Sequence, residues 1–372
     1  MTPRPSPLPH LALTAALLAW GVAPPGLAPG WSLRARESAR ADRPNAADLE
    51  RMERGYYEAL ADAGRRLDQV GQSRPEPPPT DFGPLTVAVA DVREYVLKPG
   101  VSAEHRGATW TTNSLGMRDR EYATRKPAAT RRIAVVGDSI GAGWGVDDGL
   151  GFEPTWERAL DGRSRASGGP AVEVFNHAVP GHAPGQRWEH FSREGWASGP
   201  DLVVFQGTPA DFGWDDRKLR SLLPKGVGWD APAYREALVR AGARPGGDEE
   251  TYKNLLRPHR EAILAGVYRA VVDDCRSRGV PSVWLLLPRV GKPVLPADRA
   301  RLVDLARASG FSAVVDLSDA FDGLGPASLA IGPDDFHPNA RGHARLARLL
   351  GAALPSAAAL PPDPPSERGD RR

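Results

Sequence analysis

Short apolar runs alternate with amphipathic stretches over residues 131–352. The runs lie at 133–136, 172–175, 202–205, 283–287 and 313–315, each bounded by Gly, Pro or polar residues. Between them, apolar residues recur at helical spacing over 150–160, 185–197, 250–278 and 297–309. Apolar strands separated by helices are typical of a parallel sheet that helices cover on both faces. The pattern therefore predicts an α/β domain over 131–352.

The flanking segments have weaker patterns. Residues 85–130 carry short alternating runs with Pro and Gly punctuation, which predicts a small N-terminal β element ahead of the main domain. Segment 31–84 is predicted to hold a helix that begins after Asn45 and a stiff Pro-rich linker. The tail 353–372 is rich in Pro, Ala and charged residues and is expected to be disordered.

Segment 212–248 fits no strand–helix unit, although it contains Trp214 and Trp229 among several Gly and Pro residues. An insertion of this length near the carboxyl ends of the strands is a candidate lid or substrate wall. A variable surface loop is the alternative interpretation.

Residues 1–30 have the pattern of an export signal. Arg4 precedes an apolar run at 11–22, and no acidic residue occurs before Glu37. The run is shorter than the ~20 residues that a spanning helix needs. The small-residue sites near its end are each followed by Pro, so an uncleaved membrane anchor remains an alternative to a cleaved signal. We expect a periplasmic or extracellular protein.

Composition excludes several classes of function. A net charge of +2 over 372 residues, with no basic stripe, argues against nucleic acid as a partner. Cys275 is the only cysteine, so no intramolecular disulfide can form. His177 and His182 lack a third ligand at metal spacing. The Gly-rich run after Ser139 lacks the Lys of a phosphate-binding loop. We expect neither a metal nor an organic cofactor.

Two segments supply the chemistry of a nucleophilic serine. Ser139 lies where the first apolar run of the domain ends, in RRIAVVGDSIGAGWGV, and DDFHPNARGH near the other end supplies Asp334 and His337. A serine hydroxyl needs a base to become a nucleophile, and the base needs a partner that fixes its tautomer. Ser139, His337 and Asp334 fill these roles, which predicts a serine hydrolase. An ordinary helix cap is the alternative role for Ser139.

The two segments together resemble the GDSL, or SGNH, hydrolase family. GDSIGAGWGV is similar to its first motif and DDFHPNARGHARLARLL to its last, over a resemblance that covers roughly residues 110–352. TTNSLGMRDREY, at 111–122, resembles a lead-in found in a bacterial branch of the family. The resemblance implies a flavodoxin-like three-layer sandwich around a central parallel sheet. The spacing of three in the last motif selects Asp334 over Asp335. In FNHAVPGHAPG, at the place of the second motif, the resemblance implies that the Gly181 N–H lines an oxyanion hole together with that of Ser139.

The third motif departs from the family. Gly-x-Asn-Asp is expected after the third strand, with the Asn side chain donating to the oxyanion, but Pro209 or Ala210 stands in that position. Losing one such donor typically costs about 10²–10³ in rate. The side chains of Gln206, Thr208 and Asn113 are candidate replacements.

We expect an exported serine esterase or acyl-hydrolase that forms an acyl-enzyme on Ser139. An acetylated carbohydrate is the favoured substrate and a lipid ester the next. Activity should rise as His337 loses its proton, near ~6.5 for an unperturbed imidazole. One alternative is an O-acyltransferase acting on an envelope polysaccharide. Another is a degenerate, non-catalytic glycan-binding envelope protein, which the missing Asn motivates.

Overall fold

A computed structural model describes residues 82–354. The predictions for 1–30, for the helix after Asn45 and its linker, and for the tail beyond residue 354 lie outside this range. The strands are β1 (Thr86–Ala88), β2 (Tyr95–Leu97), β3 (Ser102–His105), β4 (Ala108–Thr111), β5 (Thr130–Val136), β6 (Ala171–Asn176), β7 (Leu202–Gly207), β8 (Ser282–Leu286) and β9 (Ala313–Asp316). The helices are α1 (Phe152–Ala166), α2 (Pro184–Glu194), α3 (Trp214–Leu222), α4 (Pro232–Arg240), α5 (Glu249–Leu256), α6 (Arg260–Ser277), α7 (Pro296–Ser309) and α8 (Ala340–Ala353).

The main sheet has five parallel strands in the order β6-β5-β7-β8-β9. The chain thus starts in the second position, crosses to one edge and then crosses back, which is the doubly wound order of flavodoxin-like folds. In such sheets the carboxyl ends of the strands next to the crossing point carry the ligand site. The predicted α/β fold is confirmed, and strand β5, which precedes Ser139, lies at that point.

Each face of the sheet packs on its own hydrophobic core. On one face Ala134, Val136 and Phe205 contact the cluster that includes residues of helices α2 to α7. On the other face Val135 and Val204 lie in the cluster that includes residues of α1 and α8. Alternate residues of one strand are therefore buried on opposite faces, because successive strand side chains point in opposite directions. This accounts for the uninterrupted apolar runs.

Segment 212–248 is helical, so the interpretation as a variable surface loop is wrong. Helices α3 and α4 place Leu219, Tyr234 and Leu238 in the larger core cluster. Apolar residues at helical spacing drive this packing, and the Pro and Gly residues only separate the helices. The single helix predicted over 250–278 is divided into α5 and α6 at Pro258, whose ring cannot continue a regular helix.

The predicted small β element consists of two antiparallel pairs, β1–β2 and β3–β4. The turn before β2 is held against the main domain by the carboxylate of Glu94, which is buried with its partners. Lys218 of α3 lies 2.6 Å from a carboxylate oxygen of Glu94, and both side chains are less than a tenth exposed. The Gln186 side chain of α2 donates to the same carboxylate oxygen at 3.1 Å. Over residues 82–354, no helix is both long and apolar enough to cross a membrane.

Candidate active site

Ser139 lies in a tight turn that follows β5, as predicted, and its side chain is fully buried. Hydrogen bonds among its own residues hold the turn. The Ile140 N–H donates to a carboxylate oxygen of Asp138 at 2.9 Å, and the Trp144 N–H donates to the Ser139 carbonyl at 3.0 Å. Gly137 has no room for a side chain, because a Cβ there would collide with the amide oxygen of Gln206. A side chain at position 137 would therefore displace the Gln206 amide, which holds Asp138 next to the nucleophile.

The structure brings His337 to Ser139 across 198 positions of sequence. The imidazole Nε2 lies 2.9 Å from the Ser139 Oγ, and both side chains are fully buried. The other ring nitrogen, Nδ1, lies 2.5 Å from an oxygen of Asp335. With Nδ1–H donating to the carboxylate, Nε2 carries no proton and is placed to accept one from the Ser139 hydroxyl.

The carboxylate that orients the imidazole is Asp335, and the predicted pairing of Asp334 with His337 is wrong. Asp335 accepts both the His337 backbone N–H at 2.8 Å and the ring Nδ1–H at 2.5 Å through one oxygen. Asp334 is exposed to solvent. The reason is local: a carboxylate two residues before the histidine accepts its backbone N–H in an Asx-type turn, which aims the same oxygen at the ring.

Burial and charge set the protonation of the pair. Burial lowers the pKa of His337 below its ordinary value, and the hydrogen bond and charge of Asp335 counter this only in part. Burial alone would raise the pKa of Asp335, but His337 and the guanidinium of Arg106 outweigh it and leave that pKa lowered. At neutral pH the site therefore holds a neutral imidazole against an ionised carboxylate, which is the resting state of a general base.

This arrangement predicts the acid limb of the pH profile. The kcat/KM for p-nitrophenyl acetate should rise with pH as His337 deprotonates, because only the neutral imidazole can accept the Ser139 proton. Since the His337 pKa is lowered, the midpoint should lie below 6.5, the ordinary value. Initial rates measured from well below to well above the ordinary His pKa of about 6.5 locate the midpoint. A midpoint above 6.5 would contradict the buried environment of the imidazole.

Two backbone N–H groups are available as oxyanion donors. Within residues 82–354 neither the Ser139 N–H nor the Gly181 N–H donates to an acceptor. The segment that carries Gly181 is tied to the nucleophile strand, because the Val179 N–H donates to the Gly137 carbonyl at 3.1 Å. Gly181 itself has a φ of +81°, a conformation that favours glycine. Its predicted role in an oxyanion hole is compatible with this placement and stays a prediction.

Replacing Gly181 with Ala tests that role. The methyl group is strained at φ +81°, so the backbone should rotate and turn the N–H away. We expect kcat to fall by about 10²-fold, the cost of one misaimed oxyanion donor, with KM little changed. Gly199→Ala is the matched control, because Gly199 also has a positive φ, of 62°, and ends a short helical turn before β7. Equal losses in both variants would mean that the effect is general strain.

None of the candidate replacements for the missing third-motif Asn is available. The Gln206 amide donates to Asp138 at 2.6 Å, and the Thr208 hydroxyl donates to Asp211 at 2.8 Å. The Asn113 amide donates to the Arg120 carbonyl at 2.9 Å and lies within its own turn. Each side chain is thus committed to structure, and the backbone N–H groups of Ser139 and Gly181 remain the candidate oxyanion donors.

Sequence reasoning missed a buried arginine beneath the nucleophile. Arg187 of α2 is fully buried, and one guanidinium nitrogen lies 3.3 Å from an oxygen of Asp138 and 3.3 Å from one of Asp211. Its other nitrogens donate to the carbonyls of Gln206 and His182 at 3.0 and 2.9 Å. Arg187 therefore joins the segments of the first, second and third motifs. The only signal in the sequence is its position one helical turn before the apolar Phe191 in a predicted helix.

The N-terminal β element also borders the site. The Trp144 ring lies 5.9 Å from that of His337 and 4.4 Å from that of His105, measured between centroids. The Arg106 guanidinium lies 5.4 Å from the Trp144 ring centre and 3.8 Å from the second oxygen of Asp335. Residues 102–111 thus form part of the wall around the imidazole. Among residues 82–354 no group of His, Cys, Asp and Glu is arranged to hold a metal ion.

Comparison with known families decides the class of this site. A sequence model of the GDSL-like lipase/acylhydrolase family matches residues 135–345, which is more than half of the chain and contains Ser139, Gly181 and the Asp335–His337 pair. The chain belongs to this family. A GDSL-like lipase/acylhydrolase acts on ester bonds, so the chain is by family an ester-bond hydrolase. A search of curated proteins finds no match.

Several solved structures are similar to this GDSL-like lipase/acylhydrolase. A two-domain esterase active on acetylated mannans is 13% identical, with 61% of this chain and 48% of that one covered and a TM-score of 0.39. An acetylxylan esterase from Geobacillus stearothermophilus is 16% identical, with 60% and 94% covered and a TM-score of 0.39. A lipase/acylhydrolase from Enterococcus faecalis is 17% identical, with 63% and 99% covered and a TM-score of 0.38. At these identities and scores the likenesses do not bear on the reaction or the substrate of this chain.

Proposed function

We propose that this GDSL-like lipase/acylhydrolase is a serine esterase whose catalytic triad is Ser139, His337 and Asp335. The supporting observation is the continuous chain of short contacts, 2.9 Å from the Ser139 Oγ to Nε2 and 2.5 Å from Nδ1 to Asp335. Such a chain, with a base of lowered pKa, makes a serine hydroxyl nucleophilic at neutral pH.

The reaction proceeds through an acyl-enzyme. As the Ser139 Oγ attacks the ester carbonyl, Nε2 of His337 takes the hydroxyl proton, and the N–H groups of Ser139 and Gly181 receive the developing negative charge. His337 then gives the proton to the departing alcohol. Water, activated by the same nitrogen, releases the acid and restores the Ser139 hydroxyl.

For the substrate we propose an ester with a short acyl group, of which an acetylated carbohydrate is the favoured example. Full burial of Ser139 and His337 and the adjacent Trp144 ring leave little room for a long chain beside the nucleophile. Esterases of acetylated mannans and xylan have similar structures, although that likeness carries no weight for specificity. Export to the periplasm or the exterior, with or without an N-terminal anchor, remains our expectation from the sequence.

The burial of the two reacting groups favours a second candidate, transfer of the acyl group to a sugar hydroxyl. An acyl-enzyme that bulk water reaches poorly survives until an alcohol acceptor binds. The two reactions share every step up to the acyl-enzyme and differ only in the acceptor.

One experiment tests both candidates. The protein is incubated with p-nitrophenyl acetate carrying a labelled acetyl group, with and without acetyl-free xylo- and manno-oligosaccharides. Release of labelled acetate supports the esterase, and label on the sugar supports transfer. If the protein neither releases acetate nor labels a sugar faster than heat-denatured protein does, both proposals fail.

A further inference from the structure

The turn that follows Ser139 is held from outside by a buried arginine of the N-terminal segment. Arg118 is one twentieth exposed in its side chain. Its Nη1 donates to the carbonyls of Ala142, at 3.0 Å, and Gly143. Its Nη2 donates to the carbonyls of Val146, at 2.5 Å, and Thr109, at 2.8 Å. One guanidinium thus binds three carbonyls of the nucleophile turn and one of β4.

The same peptide groups hold the backbone of Ser139 from inside. The peptide between Gly143 and Trp144 accepts from Arg118 through its carbonyl and donates through its N–H to the Ser139 carbonyl at 3.0 Å. The peptide between Ala142 and Gly143 also accepts from Arg118 through its carbonyl, and its N–H donates to the carbonyl of Ile140, the next residue after Ser139, at 3.1 Å. A charged donor on a peptide oxygen strengthens the hydrogen bond that its N–H makes, because the group is polarised. Arg118 therefore restrains the backbone of Ser139 indirectly, through the peptide group that hydrogen-bonds to it.

The shape of the turn requires this cation. Gly143 and Gly145 have φ of +73° and +74°, which brings successive carbonyls toward one point. A Cβ at Gly143 would lie 3.1 Å from the Arg118 Nη1, so the guanidinium fills the space against the backbone. Without it, the carbonyls of Ala142 and Val146 would lose their charged donor, which is costly for buried oxygens, and the Gly143 carbonyl would keep only the Val146 N–H at 3.3 Å. Burial lowers the pKa of Arg118 to about 10, which leaves the side chain charged at neutral pH.

We propose that Arg118 is a positioning residue for the esterase reaction: by clamping residues 142–146 it holds the Ser139 hydroxyl in line with His337. The inference rests on the proposed catalytic role of Ser139. Arg118 lies outside residues 135–345, the part that matches the family. Its guanidinium also stacks 4.1 Å from the ring centre of Trp110 on β4. Through Arg118, strand β4 of the N-terminal β element therefore helps to position the nucleophile turn.

The test compares Arg118→Met and Arg118→Lys with Arg120→Met in the full-length protein. Arg120 is the matched control, because it lies two residues away, is half exposed and pairs with Glu157 of α1 at 2.8 Å. For each protein two quantities are measured with a fluorophosphonate probe: the amplitude of labelling, which reports the folded fraction, and the rate constant of labelling, which reports how well the serine is activated. The kcat and KM for p-nitrophenyl acetate are measured alongside.

We expect the rate constant and kcat of Arg118→Met to fall together by about 10–10²-fold, the cost of a small misplacement of a reacting group, with KM little changed. Arg118→Lys should lose less than Arg118→Met, because an ammonium keeps the charge but cannot span the four carbonyls. Arg120→Met should match the wild type in every quantity.

Three outcomes would overturn the inference. In the first, the wild type is labelled and Arg118→Met reacts at the rate of Arg120→Met. In the second, only the amplitude falls in the Arg118 variants, which means that Arg118 serves stability alone. In the third, Arg118→Met does not fold and Arg118→Lys is labelled at the wild-type rate. Failure of the wild type to be labelled is a different result, since it rejects the proposed function itself.

Discussion

Replacing Ser139 with Ala should reduce kcat for p-nitrophenyl acetate by about 10³-fold or more, the usual cost of losing a nucleophile. The change removes one buried oxygen whose contact is His337 Nε2, at 2.9 Å. The fold should therefore survive, and thermal unfolding should show a stability close to that of the wild type. Steady-state kinetics at a protein concentration determined by absorbance measure the loss.

Ser277→Ala serves as the control for this variant. Ser277 is an exposed residue at the end of α6, and its hydroxyl donates to the Asp274 carbonyl at 2.8 Å. Its loss should leave kcat unchanged. If Ser139→Ala retains the turnover of Ser277→Ala while folded, another group performs the attack and the proposed mechanism is wrong.

The second large effect on kcat is expected from replacing Asp335, and not from replacing its neighbour Asp334. Asp335→Asn should lower kcat on the order of 10³–10⁴-fold, because an amide at this point no longer fixes the imidazole tautomer or stabilises the imidazolium. Asp334→Asn should keep wild-type activity, since Asp334 is exposed and His337 pairs with its neighbour. The two variants make the same chemical change one residue apart, so each controls for the other. The activities of the purified proteins are compared at pH 8, which is about 1.5 units above the ordinary His pKa, so that His337 is neutral in both.

The opposite result would be informative. If Asp334→Asn is inactive and Asp335→Asn is not, the carboxylate at the family spacing orients the histidine in solution. The assignment of Asp335 from its 2.5 Å contact would then be wrong. A loss in both variants of equal size would mean that the imidazole exchanges between the two carboxylates.

The fold could be predicted from the chain because the apolar runs are unambiguous. Strands β5, β7 and β8 are buried on both faces, so each reads as an uninterrupted apolar segment between turn residues. The segment 212–248 could not be read in this way. Its helices are short, and their Gly and Pro separators resemble those of a loop, although Tyr234 and Leu238 are core residues.

Two of the candidate site residues, Ser139 and His337, could be predicted from sequence motifs. Ser139 and His337 stand in two motifs that resemblance to the GDSL, or SGNH, family pairs, and the structure places their side chains 2.9 Å apart. The choice between Asp334 and Asp335 depends on which carboxylate accepts the His337 backbone N–H, a detail of turn geometry that spacing does not encode. Arg118 and Arg187 contact carbonyls and carboxylates that are distant in sequence, so the local patterns around them do not predict those contacts.

Peptide mapping of the wild-type protein after reaction with a fluorophosphonate probe tests the central claim most directly. An activated serine forms a covalent phosphonyl adduct, so mass spectrometry should place a single adduct on Ser139, in the peptide that follows β5. Labelling should be lost in a His337→Ala variant, because the hydroxyl then has no base. An adduct on another residue, or none on folded wild-type protein, would contradict the account.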